Sequence, residues 1–177
     1  MIRRCTDADL SAMLVVINDA AEAYRGVIPA DRWHEPYMAR DELAAEIHDG
    51  VTFWGVEADG ALAGVMGLQD RGAVTLVRHA YVRTACRRRG LGTQLLRHLE
   101  TLTAKPILIG TWLAATWAVR FYEQHGYRAL SRADTERLLR RYWRIPDRQV
   151  VTSVVLAKGD WAAAVAADRG TAPRACR

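Results

Sequence analysis

The strongest constraint in this sequence is a change of pattern near Arg83. Before it, Val51 to Ala58, Ala61 to Gln69 and Ala73 to Arg83 read as consecutive strands, the first two joined by a tight Asp59-Gly60 turn. After it, Leu91, Leu95, Leu96, Leu99 and Leu102 mark one stripe of a helix, and Ile107 to Trp112 is an apolar strand. A second helix, Ala115 to His125, ends at Gly126, and Tyr127 to Leu130 begins another strand. Tight turns make the first set antiparallel, whereas a strand reached through a helix pairs in parallel. The expectation is a mixed α/β (α+β) fold with a six- to seven-stranded, mostly antiparallel sheet flanked by helices.

The remaining segments fit that frame. Ile2 to Thr6 reads as a short strand, and Asp7 as the cap of a helix with apolar positions Leu10, Met13, Leu14 and Ile17. Tyr24 to Met38 is rich in aromatic, charged and Pro residues, the character of an irregular segment near a site, and Arg40 to His48 returns to helix. Asp134 to Tyr142 reads as a basic helix and Val150 to Ala157 as a β-branched strand. At 177 residues, half of them apolar, the chain suits one domain over 1–157. Residues 158–177 form an extension with an Ala-rich helical turn or two around Trp161 and a frayed end holding Gly170 and Pro173. No apolar run reaches about 18 residues, and Cys5, Cys86 and Cys176 lie far apart without metal-ligand spacing. A soluble, cytoplasmic protein with no metal site is expected.

The formal charge is +5, and its densest cluster, Arg87, Arg88 and Arg89, runs directly into Gly90-Leu91-Gly92-Thr93. Glycines there let backbone N–H groups approach an anion, and the helix that starts at this point adds unpaired donors and its positive dipole end. Arginines alongside neutralise a pyrophosphate. No Gly-Lys-Ser/Thr is present, and Leu95 stands where a dinucleotide fingerprint needs its third glycine.

Arg87-x-x-Gly90-x-Gly92 after a strand resembles the signature of the GNAT superfamily of acetyl-CoA-dependent N-acetyltransferases. Phe121-Tyr-Glu-Gln-His-Gly-Tyr127 resembles the aromatic segment that follows it in that family. The resemblance covers about Ile2 to Ala157. It implies a GNAT-like sheet whose fourth and fifth strands splay around acetyl-CoA, pantetheine against Ala80, Tyr81 and Val82, and diphosphate on Arg88 through Thr93. In one departure, Ala115 stands where the family often has Asn, so the resemblance does not extend to that side-chain contact to pantetheine, while still implying cofactor binding as a whole.

Acyl transfer to an amine requires a neutral nucleophile and a proton for the departing thiolate. Tyr122 matches the family tyrosine that protonates the sulfur. The base stays open among His79, His34, Glu35 and a water chain, because strand alternation puts Arg78 and His79 on opposite faces. An acyl-Cys86 route is disfavoured by the thiol's place beside the diphosphate loop. Tyr24, Arg25, Trp33 and His34 are the candidate acceptor residues, because the two motifs commit the later helices to the cofactor. The expected partners are acetyl-CoA and an amine on a small molecule, peptide or protein. No membrane or nucleic acid is expected, and a homodimer is left open. The alternatives are a non-catalytic acyl-CoA-binding or sensing module, and a basic nucleic-acid-binding protein reading through Arg137 to Arg148.

Overall fold

The computed structural model describes residues 1–168, which divide into two compact units. One comprises Met1–Gln69 with Val77–Ala104, the other Asp70–Leu76 with the chain from Lys105 onward.

The first unit holds β1 (Ile2–Arg4), α1 (Leu10–Ala21), α2 (Arg40–His48), β2 (Thr52–Ala58), β3 (Ala61–Asp70), most of β4 (Thr75–Val82) and α3 (Leu91–Glu100). β1 pairs antiparallel with β2, and β2 with β3. The β2–β3 turn has Asp59 at φ 53° and Gly60 at φ 76°. Two successive left-handed residues give the twist that a two-residue hairpin needs. β3 lies close along β4: a Cβ on Gly64 would stand 3.2 Å from the Tyr81 carbonyl oxygen, and one on Gly67 3.1 Å from that of Arg78. The core joins helices to sheet through Met13, Val16, Ile17, Met38, Leu43, Phe53 and Val65, all buried.

The helix start differs from the sequence expectation. Thr6, not Asp7, precedes the first turn, and Asp9 accepts hydrogen bonds from the Thr6 amide at 2.8 Å and its hydroxyl at 3.1 Å. Arg3 fixes that carboxylate in turn, at 2.8 Å. Asp7 has neither partner, so the ion pair decides where the turn begins.

The second unit holds β5 (Ile107–Trp112), α4 (Thr116–Gln124), β6 (Arg128–Ala129), α5 (Arg132–Tyr142), α6 (Asp147–Thr152), β7 (Ser153–Lys158) and α7 (Trp161–Asp168). β7 is central, antiparallel to both β5 and β6. The Thr75 amide donates to the Pro106 carbonyl at 3.0 Å, so β4 and β5 begin side by side. This parallel start stands beside the antiparallel pairings of β1 with β2, β2 with β3, β5 with β7 and β6 with β7, and the fold is the mixed α/β arrangement expected. Gly126, at φ 84°, ends α4 as anticipated.

Val150 to Thr152 are helical, not part of the last strand as the β-branched run suggested. The Val150 amide donates to the Pro146 carbonyl at 3.1 Å, and Arg132 donates to the carbonyls of Val150, Val151 and Ser153. The bonds to Val150 and Val151 satisfy two carbonyls at the end of α6, so the turn survives its poor propensity. The extension contributes to the core: Val165 is buried among Leu108, Leu138 and Val155, with Trp161 packed alongside. The expected frayed end, with Gly170 and Pro173, lies outside the described residues.

A methyl group at Gly67 would also come within 2.6 Å of Val51 Cγ1. Gly67→Ala is therefore expected to cost about 1–3 kcal/mol, read as a lower urea midpoint at unchanged slope; a wild-type midpoint would contradict the close β3–β4 approach.

Candidate functional site

The segment after β4 is shaped by its backbone. A single 3-10 turn at Thr84–Cys86 leads to Arg88 at φ 60° and Gly90 at φ 75°, and Gly90 caps α3. Left-handed geometry at Gly90 is what a residue with Cβ resists. The first-turn amides of Leu91 and Gly92 then lack carbonyl partners within the helix. The loop is tied to the end of α1: the Thr84 amide donates to Asp19 Oδ2 at 2.6 Å, and Arg87 Nη2 to the Ala20 carbonyl at 3.0 Å. Arg89 pairs with Asp59 at 3.0 Å. Arg87 and Arg89 thus hold the loop, while Arg88 is exposed and engaged by no hydrogen bond or ion pair among the described residues. That division of labour leaves one guanidinium and a helix N-terminus available to an anion.

The irregular segment is an aromatic cluster centred on Tyr37. Its ring lies 5.9 Å from Tyr24, 5.4 Å from Trp33 and 6.2 Å from His34. Arg25 sits 4.6 Å above the Trp33 ring and pairs with Glu22 at 2.8 Å and Glu35 at 3.3 Å. Tyr24 meets Tyr81 of β4 edge-on at 6.4 Å. Asn18 of α1 clamps the far end, its amide exchanging two hydrogen bonds with the Met38 backbone at 2.8 and 3.0 Å. All four predicted acceptor residues are therefore assembled beside β4.

β4 itself departs from strand alternation. His79 has φ 52°, and this left-handed step turns Arg78 and His79 to the same carboxylate instead of to opposite faces. Arg78 Nη2 lies 2.8 Å, and His79 Nε2 3.3 Å, from Glu46 Oε2. Arg78 also donates to buried Gln69 at 3.0 Å. Burial pushes the Glu46 carboxyl up, but His79 and Arg78 outweigh it and hold the group below its ordinary range.

In the second unit Tyr122 is buried, edge-on to Phe121 at 5.1 Å and to Tyr127 at 5.9 Å. Ala115, also buried, precedes α4 without a side-chain cap. Arginines of α5 and its neighbours are largely matched by acids: Arg132 with Glu136, Arg137 with Asp134, Arg140 with Asp147, Arg141 with Asp168. A face neutralised in this way is a poor phosphate-backbone surface.

A family model described as the acetyltransferase (GNAT) domain matches residues 16–140. The chain belongs to the GNAT family. Its reaction class is accordingly acyl transfer. Among solved structures, the PaiA N-acetyltransferase from Thermoplasma acidophilum, in complex with coenzyme A, aligns at 17% identity with a TM-score of 0.68, covering 89% of this chain and 97% of that one. A GNAT acetyltransferase from Staphylococcus aureus aligns at 17% identity and TM-score 0.66, over 89% and 97% of the two chains. The ribosomal-protein-S18-alanine N-acetyltransferase from Escherichia coli aligns at 17% and 0.62, over 89% and 91%. At such identity the likeness bears on the fold alone. No curated protein matches the sequence.

Asp19, Asn18 and Glu46 were not legible as site residues. Each is an ordinary polar residue on a helix, and its partner lies 65, 20 or 32 positions away in sequence. If Asp19 secures the loop, Asp19→Ala is expected to cost about 1 kcal/mol locally and speed Thr84 amide exchange roughly fivefold, measured by hydrogen-exchange NMR; unchanged exchange would remove Asp19 as the anchor.

Proposed function

We propose that this protein is an N-acetyltransferase that moves an acetyl group from acetyl-CoA to a primary amine by direct attack in a ternary complex. The observation that carries the reading is the loop after β4, where left-handed Arg88 and Gly90 open the N-terminus of α3. The first turn of α3 and the unengaged Arg88 suit a diphosphate, and the family to which the chain belongs supplies the reaction class. Arg87 through Thr93 would then hold the diphosphate, Arg87 and Arg89 by fixing the loop and Arg88 by direct charge. Backbone groups of Ala80, Tyr81 and Val82 would hold the pantetheine arm. When bound, acetyl-CoA supplies an activated carbonyl and a thiolate leaving group.

Tyr122 is assigned the proton that the thiolate takes on leaving. A phenol, ordinarily near pKa 10, remains a donor at neutral pH. Buried Ala115 offers no polar atom toward the arm, so affinity rests on backbone and loop contacts. The aromatic cluster of Tyr24, Arg25, Trp33 and His34 is assigned to the acceptor, as rigid apolar walls with charge at the rim. The protein is read as a cytoplasmic enzyme; no helix among the described residues is long and apolar enough to cross a membrane.

Two measurements test this reading. Gly92→Glu adds a carboxylate that a helix N-terminus tolerates but a diphosphate opposes, so calorimetry is expected to show acetyl-CoA affinity reduced about tenfold or more with the fold kept. Unchanged affinity would refute the loop assignment. Tyr122→Phe keeps the ring and removes the proton, so kcat is expected to fall about 100-fold while acetyl-CoA binding holds. Equal kcat where chemistry limits turnover would remove Tyr122 as the acid.

A further inference from the structure

The bent stretch of β4 holds a polar group that the roles above do not use. A positive φ at a residue with a side chain is uncommon, and it persists only where its surroundings impose it. At His79 the surroundings are specific. Glu46 of α2 faces the imidazole from above, Arg78 from the adjacent position, and Phe53 of β2 lies against its ring with centroids 5.8 Å apart. Gln69 of β3 is taken up by Arg78 and by Asp49 at the end of α2. Glu46 and Arg78 offset each other in charge, and Arg78 is held to Glu46 at 2.8 Å.

The contact between His79 Nε2 and Glu46 Oε2 is close in distance, yet neither atom completes an aligned hydrogen bond, and both are sealed from solvent. Nδ1 is not among the sealed, unsatisfied atoms, and no hydrogen bond engages it among the described residues. The imidazole therefore presents one nitrogen to a fixed carboxylate and keeps the other for an incoming group. Phe53, which lies against the ring, and Tyr81, two residues further along β4, pack in one apolar core, and Tyr81 meets Tyr24 of the acceptor cluster. Catalytic hydrogen bonds that are misaligned before substrate binds commonly tighten afterwards.

We infer that His79 is the base that receives the acceptor's ammonium proton at Nδ1, with Glu46 as the positioning residue that orients it. The inference rests on the acyl-transfer reading. An ammonium R–NH3+ gives one proton to His79, and the freed nitrogen lone pair forms the C–N bond to the acetyl carbonyl. The C–S bond breaks, the nitrogen's surplus proton ends on the departing thiolate, and His79 releases its own to solvent. The net products are an amide, CoA thiol and one proton. A lysine-like amine needs this help, since leaving it neutral at pH 7 costs about 4.6 kcal/mol.

The test uses the full chain, His79→Asn, in which Asn tolerates the left-handed backbone, and Glu46→Gln. Both variants are assayed with acetyl-CoA and a panel of tyramine, 1,4-diaminobutane and an alanyl peptide. His79→Asn should lose about 100-fold in kcat/KM at pH 7 with acetyl-CoA affinity unchanged, and the deficit should shrink toward pH 10, where a lysine-like amine is already largely neutral. Glu46→Gln should lower kcat about tenfold with acceptor KM within about twofold, because the imidazole stays but loses the carboxylate that orients it. Wild-type kcat/KM in His79→Asn, a deficit that stays constant up to pH 10, or wild-type kcat in Glu46→Gln would overturn the inference alone. Wild type that binds acetyl-CoA but acetylates none of the panel would overturn the acyl-transfer reading and the inference with it.

Discussion

Packing of α1 and α2 onto the sheet of the first unit determines where every polar group of that unit's site stands. Met13, Val16, Ile17 and Leu43 are buried against Phe53 and Val65, and burying such side chains is worth about 1.5–3 kcal/mol each. That apolar seam fixes the rotation of both helices. With it set, the end of α1 brings Asp19 to the Thr84 amide and Asn18 to the Met38 backbone, and α2 brings Glu46 to β4. None of these polar contacts would assemble alone, because each offers about 1 kcal/mol net against the entropy of ordering two distant segments.

Charge is used in two ways. In the second unit, arginines of α5 meet carboxylates on the same helix, on α6 and on α7, pairs that are exposed and individually weak. Around the loop after β4 the pairing is incomplete: Arg87 and Arg89 are committed to backbone and to Asp59, and Arg88 is left over. The basic pI of about 9.4 thus reflects an overall excess, but its local meaning depends on which guanidinium lacks a carboxylate.

Strain marks the same unit. His79 and Arg88 take left-handed backbone at either end of one short stretch of chain, the first within β4 and the second just before α3. A β-strand that obeyed alternation would send Arg78 and His79 apart and leave Glu46 with one partner. The glycines on β3 permit this bend, since Gly64 and Gly67 let the neighbouring strand approach the carbonyls of Tyr81 and Arg78 closely.

Much of the fold and the glycine-bearing turn after β4 was legible in the sequence because it depends on local rules. Apolar runs bounded by turn residues marked β2 and β3, the Asp59-Gly60 pair marked their turn, a leucine stripe marked α3, and glycines after three arginines marked the loop. The helical turn at Val150 was misread because propensity there yields to three carbonyl bonds from Arg132. The Arg78–His79 geometry was misread because periodicity carries no notice of a positive φ. What the sequence by itself determined is each element's period and its punctuation, which short-range sterics and apolar spacing encode. Tertiary structure alone decided which carboxylate meets which base, for Glu46 and His79 are 33 residues apart and meet only because the buried seam of α1 and α2 holds one helix over one strand.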